Sequence, residues 1–179
     1  MVRTFIAVEM DGSMLREPLR LLRAFHDLKV VPEGNMHITL KFLGEVKEEQ
    51  LPAIKEAVDA VAARPAFNFT VKGVGAFPSA TDPRIIWAGT EGAEPLGAMA
   101  AQLEEKLSTQ GFEREQRPFS AHITLARSKD RSARLAFSGL DEFKATVFGT
   151  VPVTELRLKK SVLTPKGPIY SDLHVAKLR

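Results

Sequence analysis

Cysteine is absent from the sequence, which excludes disulfides, thiolate metal sites and cysteine nucleophiles and fits a reducing cytoplasm. Long apolar runs are absent too. The N-terminal candidate, Thr4 to Val8, is stopped by Glu9, far short of the roughly 20 residues a membrane-spanning helix needs. A soluble, unprocessed, cytoplasmic protein that makes no use of a membrane is therefore expected. Charge of one sign is lacking in the first half, where eleven basic residues meet eleven acidic ones up to Gly89. The net charge of +3 thus arises entirely in the second half. There Arg114, Arg117, Arg127, Lys129, Arg131 and Arg134 lie close together, against Glu115 and Asp130 alone. Such a stretch is either a solvated face or a surface for an anion. Hydrophobic residues at 44% and charged residues at 26% exclude disorder. A chain of 179 residues can bury about 70% of its unfolded surface and needs no staple.

Periodicity reads as alternating strands and helices. Thr4 to Met10 is strand-like, and Asp11 and Ser13 are cap candidates for an amphipathic helix carrying Met14, Leu15, Leu19, Leu22 and Phe25. Met36 to Leu43 is a strand, Glu48 to Ala63 a helix with Pro52 in its first turns, and Phe67 to Val71 a strand. The segment Gly73 to Pro83 reads as a turn region before a strand at Arg84 to Thr90. Pro95 to Leu107 is a third helix closed by Gly111, and Phe119 to Ala126 another strand. Strands near Val147 to Val153, Glu155 to Leu163 and Ile169 to Ala176 end the chain, with Thr164 to Pro168 turning between the last two. Within this order a unit repeats. Strand, long helix and strand occur twice, ending once in His37-Ile38-Thr39-Leu40 and once in His122-Ile123-Thr124-Leu125. The expectation is an α+β fold that is bilobal, with two pseudo-symmetric strand-helix-strand lobes and mainly antiparallel sheets around a central cleft. Residues 1–179 would form a single domain of two interleaved lobes, and a monomer.

Alternation along a strand places His37 and Thr39 on one face and Ile38 and Leu40 on the other, with the same division at His122, Thr124, Ile123 and Leu125. Two imidazoles and two hydroxyls would then line the cleft. That set suits attack on a phosphodiester: a neutral imidazole takes a proton from water, a protonated one gives a proton to the departing oxygen, and hydroxyls donate to the phosphate oxygens. No metal-ligand spacing accompanies the histidines, so no metal is expected. A lone His-x-Thr is more often a half-buried strand than a site; the weight here comes from its repetition in equivalent places. His26 and His174 fall outside the repeat and read as ordinary surface or core residues.

The sequence resembles the 2H phosphoesterase superfamily, and within it the RNA 2′,3′-cyclic phosphodiesterases formerly called 2′-5′ RNA ligases. The resemblance runs over essentially the whole chain. It is carried by Phe5-Ile6-Ala7-Val8, Asn35-Met36-His37-Ile38-Thr39-Leu40-Lys41-Phe42-Leu43-Gly44-Glu45-Val46, Gly75-Ala76-Phe77-Pro78, Arg117-Pro118-Phe119-Ser120-Ala121-His122-Ile123-Thr124-Leu125-Ala126-Arg127 and Gly167-Pro168-Ile169-Tyr170. It implies hydrolysis of a terminal 2′,3′-cyclic phosphate of RNA to a 2′-phosphate, with His37 as proton donor and His122 as proton acceptor, no cofactor, and weak joining or cleavage of 2′-5′ linked tRNA halves. Thr39 and Thr124 would bind the phosphate. Arg127 could join them, but strict alternation sets it opposite His122, so only a bend at the strand end would bring it in. The same alternation assigns Phe42 and Phe119 to the core in preference to a stacking role on a base. The basic stretch becomes a track for further RNA phosphates. Rival readings are a 2H enzyme acting on a small cyclic nucleotide, a non-catalytic RNA-end binding module and a metal-dependent nuclease.

Overall fold

The computed structural model describes residues 1–130 and 133–179; Arg131, counted above in the basic stretch, lies outside the described residues. Nine strands and four α-helices follow one another as β1 (Val2–Glu9), α1 (Arg16–Leu22), β2 (Leu28–Val30), β3 (His37–Val46), α2 (Leu51–Ala62), β4 (Phe67–Pro78), β5 (Pro83–Glu91), α3 (Glu94–Ser108), β6 (Ile123–Ser128), α4 (Ala133–Ser138), β7 (Val147–Val153), β8 (Glu155–Thr164) and β9 (Gly167–Lys177) among the described residues. They form two antiparallel sheets, one of order β3-β1-β8-β9 and one of order β2-β6-β5-β4-β7. The α+β class with antiparallel sheets, read from the repeat, is the one found.

The two repeated units are visible as β1-α1-β3 and β5-α3-β6, and in each the two strands are antiparallel neighbours. Their helices do something the pattern did not disclose. Helix α3, from the unit of the second sheet, packs beside α2 against β3 of the first sheet, while α1 packs against β2 and α4 on the second. Lys41 of β3 fixes this crossing by donating to Glu104 of α3 at 2.9 Å and to the Glu113 carbonyl at 2.7 Å. Each helix buries its apolar stripe on the other unit's sheet. An amphipathic face records only that it must be covered, not by which sheet.

Local differences from the expected elements have simple causes. The first helix begins with a 3₁₀ turn at Gly12–Leu15, for which Asp11 accepts a hydrogen bond from the Ser13 amide at 2.9 Å, and it ends before Phe25. Strand β4 runs on through Gly73 to Pro78, leaving only residues 79–82 as the turn, because irregular pairing accommodates the glycines inside the ladder. Residues 119–122 precede β6 and do not belong to it. The short β2, pairing with β6, had no pattern long enough to read.

Strands β3 and β6 come from different sheets yet approach within 8 Å at their Cα atoms. Ile38, Leu40, Ile123 and Leu125 are buried in the continuous core. Truncating any of them to alanine would cost about 2–5 kcal/mol, so both His-Ile-Thr-Leu segments are anchored firmly where the two sheets meet.

Candidate active site

His37 opens β3, and its Nδ1 lies 2.7 Å from the carbonyl of Asn35. His122 stands just before β6, with its Nδ1 2.9 Å from the carbonyl of Ser120. The echo is complete: each ring is tied to the backbone two residues upstream. A carbonyl can only accept, so each neutral ring keeps its proton on Nδ1 and leaves the Nε2 lone pair for chemistry. Aromatic side chains brace both imidazoles. Phe5 and Tyr170 pack on His37 with ring centroids at 5.2 and 5.5 Å. Phe77 meets His122 edge-on at 5.1 Å and is itself backed by Trp87 at 5.2 Å.

The pairing registers show why Arg127 reaches this site and Phe42 leaves the core. Between β1 and β3, Ala7 pairs with Thr39 but Ile6 with Lys41, so Leu40 is an extra residue. Both Leu40 and Lys41 then point to the helix side, where both are buried, and Phe42 turns to the face of His37 and Thr39. Between β5 and β6, Trp87 pairs with Thr124 but Ile86 with Ala126, which makes Leu125 extra in the same way. Leu125 and Ala126 are buried, and Arg127 turns to the face of His122 and Thr124. Alternation had set Arg127 on the wrong face and Phe42 in the core; the bulge reverses both. Phe42 is 52% exposed, and Phe119, also expected in the core, is 36% exposed over Gly97 of α3 because it precedes the strand.

Charge around the two rings is uneven. Burial pushes both imidazoles below their ordinary pKa, His37 and His122 alike, and the Arg127 guanidinium pushes both the same way; the backbone carbonyls oppose it. Near His37 there is more. Glu9, its cross-strand partner in β1, is held by Lys159 and Arg157, and Lys159 also donates to Asp172 at 2.7 Å. Lys159 is only 7% exposed; its charge lowers His37 further while Glu9 raises it. This ion cluster, together with Phe5, Phe77 and Tyr170, was missed as part of the site. Phe5, Phe77 and Tyr170 all sit in the segments that carry the family resemblance, which was the available signal. Of the basic stretch, Arg127 faces the histidines, whereas Arg117 is taken up by Glu115, whose carboxyl it holds down at about 2. Among the described residues no three His, Asp or Glu side chains group as metal ligands would, and no helix is long and apolar enough to cross a membrane.

Two duplicated strands that present paired His-x-Thr motifs from adjoining antiparallel sheets define a class, and the chain belongs to it: the LigT-like phosphoesterase family, whose model matches residues 13–87 and 89–170. Among relatives, an Archaeoglobus fulgidus protein named RNA 2′,3′-cyclic phosphodiesterase is 40% identical, covering 97% of this chain and 99% of its own. A protein of the same name from Methanothermobacter thermautotrophicus is 34% identical over 99% of each chain. The solved structure of TT0787 from Thermus thermophilus superposes with a TM-score of 0.85 at 32% identity, covering 99% of this chain and 98% of that one. The structure of E. coli LigT complexed with 3′-AMP gives 0.77 at 26% identity, with 99% and 98% covered.

Proposed function

We propose that the protein hydrolyses the terminal 2′,3′-cyclic phosphate of an RNA to a 2′-phosphate by acid-base catalysis between His37 and His122. The observation that carries this reading is the pair of Nδ1-anchored imidazoles, with Arg127 turned by the bulge to the face of His122 and Thr124. The consistent name of the relatives supports the substrate. His122, neutral, takes a proton from water at Nε2 as the water oxygen bonds to phosphorus. His37, protonated, gives its Nε2 proton to the 3′-oxygen as the bond from phosphorus to that oxygen breaks. One proton enters the protein and one leaves, and the pair returns to its starting state after exchange with solvent. The family resemblance orders the two roles. Thr39 and Thr124 donate to the non-bridging oxygens, and Arg127 balances their charge. The anionic substrate raises imidazoles that burial has lowered, so the acid becomes charged as the phosphate arrives. A ribose hydroxyl in place of water would join two RNA ends by the same transfer, so weak joining or cleavage of 2′-5′ linked tRNA halves would follow from the same site.

The test is an RNA with a 2′,3′-cyclic phosphate end, incubated with the protein in excess chelator. The expected product carries a 2′-phosphate and a free 3′-hydroxyl. His37→Ala and His122→Ala should each lower the rate by about 10²-fold or more, with the double variant far from multiplicative. A 3′-phosphate product would exchange the roles of the histidines, and loss of activity in chelator would replace the mechanism with a metal-dependent one.

A further inference from the structure

We infer that Phe42 and Arg3 form a second nucleotide subsite, which takes the base and the internucleotide phosphate of the residue preceding the cyclic end of the RNA. This rests on the RNA-end reading above and extends it from the reacting phosphate to the chain behind it.

Phe42 is placed for such a role by the bulge in β3. The register pairs it directly with Phe5, and cross-strand partners share a face. Phe5 is the ring against His37, so Phe42 stands on the same face as His37, five residues further along the same strand. The ring forgoes burial, at 52% exposed, although alternate residues of the same strand are in the core. Arg3, two residues before Phe5 on β1, holds its guanidinium 4.9 Å from the centroid of Phe42. Its cross-strand neighbour Glu45 does not bond it, and Arg3 makes no ion pair among the described residues. A ring with one open face beside an uncommitted cation matches a nucleobase with its phosphodiester: stacking is tolerant of base identity, and the cation takes the backbone charge.

The arrangement favours a chain over a mononucleotide. Arg127 and the two threonines would already answer the reacting phosphate, and Phe5 and Tyr170 are the rings packed on His37, at 5.2 and 5.5 Å. Burial raises the Tyr170 phenol above its ordinary pKa, and the charges of Arg127, Arg3 and Lys159 all bear on it in the opposite sense. A cyclic mononucleotide carries no second phosphate for Arg3. The residue before it in an RNA has both a base and a phosphate.

The experiment measures kcat/KM on a cyclic mononucleotide and on a short RNA with the same 2′,3′-cyclic end, in the wild type, Phe42→Ala, Phe42→Trp and Arg3→Gln. The expected result is a wild-type preference for the RNA, a fall of roughly 5- to 100-fold in that preference in Phe42→Ala, and its retention in Phe42→Trp. Arg3→Gln should reduce the salt slope of RNA binding by about 0.7. Binding of a 2′-phosphorylated RNA, followed by fluorescence anisotropy, reads the same subsite without turnover and should weaken in Phe42→Ala. An unchanged preference and unchanged product binding in Phe42→Ala would overturn the subsite while leaving the phosphodiesterase reading intact. A wild type that opens neither cyclic phosphate would overturn that reading instead, and the anisotropy would still decide whether Phe42 grips RNA.

Discussion

Gly75→Ala tests whether His122 is held in place by packing as well as by its backbone hydrogen bond. Gly75 lies on β4 directly across from Trp87 on β5. Its backbone conformation suits any residue, since it is not among the glycines of positive φ, so the substitution acts through space alone. A Cβ there would fall inside the indole, with even the third-nearest ring atom, Cζ3, at 2.8 Å. Carbon atoms prefer about 3.5–4.0 Å, so the indole must move by roughly 1 Å. It cannot move alone, because Phe77 packs on it at 5.2 Å and His122 on Phe77 at 5.1 Å. Overpacking of this kind costs about 1–3 kcal/mol, or roughly 2–4 °C of Tm per kcal/mol for a chain of this length. A displacement of about 1 Å at a catalytic group costs about 10²-fold in rate. The assay is single-turnover hydrolysis of a cyclic-phosphate RNA beside a thermal melt, with Gly75→Ala alone and combined with Trp87→Phe, which removes the obstructing ring. The double variant should recover most of the rate. A normal rate in Gly75→Ala despite a lowered Tm, or no recovery in the double variant, would refute the chain from Gly75 to His122.

The dependence of kcat/KM on pH should be a bell, because the base must be neutral and the acid charged in the same molecule, with limbs that belong to the pair. Both imidazoles are lowered in the free protein, so its centre should lie on the acid side of about 6.5, the ordinary histidine value. Lys159→Met removes a cation that lowers His37 and leaves Glu9 and Asp172 nearby, so the profile should move to higher pH; movement to lower pH would contradict the assignment. If Arg127 and Thr124 donate to the phosphate as proposed, Arg127→Gln and Thr124→Val should each lower kcat by roughly 10- to 10³-fold with little change in Tm. Normal turnover in Arg127→Gln would mean that the bulge aims the guanidinium elsewhere.

What was legible in the sequence is what alternation and repetition encode within one strand. Ile38, Leu40, Ile123 and Leu125 are buried, and the histidines and threonines lie on the opposite face. Legibility ends one residue past each tetrapeptide. A bulge is a mismatch between two strands, and nothing in Leu40-Lys41-Phe42 or Leu125-Ala126-Arg127 alone announces that β1 and β5 run one residue short there. Phe42 and Arg127 were therefore assigned to the wrong faces by the same correct rule. The braces Phe5, Phe77 and Tyr170 escaped for a related reason, since each touches a histidine only through the pairing of strands distant in sequence. Phe5 in particular sits in an unbroken buried run, Thr4 to Val8, where no alternation marks which residue faces the site.

The repetition also poses a problem that only its departures solve. Two identical motifs, each with its Nδ1 proton on the carbonyl two residues upstream, would give two equivalent imidazoles, and equivalent imidazoles have no reason to divide into an acid and a base. Asymmetry enters at two places. The ion cluster of Glu9, Lys159, Arg157 and Asp172 adjoins His37, so the charged form of that ring meets both a carboxylate and a buried ammonium, while the charge bearing on His122 is that of Arg127. The second departure is at the residue each bulge turns inward, Arg127 in one unit and Phe42 in the other. An arginine at both positions would press two cations on imidazoles already lowered by burial and would leave neither able to hold the proton the departing oxygen needs. In the proposed mechanism one arginine and one phenylalanine would supply a single charge for the phosphate and an apolar surface beside it, so that the duplicated scaffold presents the two imidazoles and these unlike residues divide the labour.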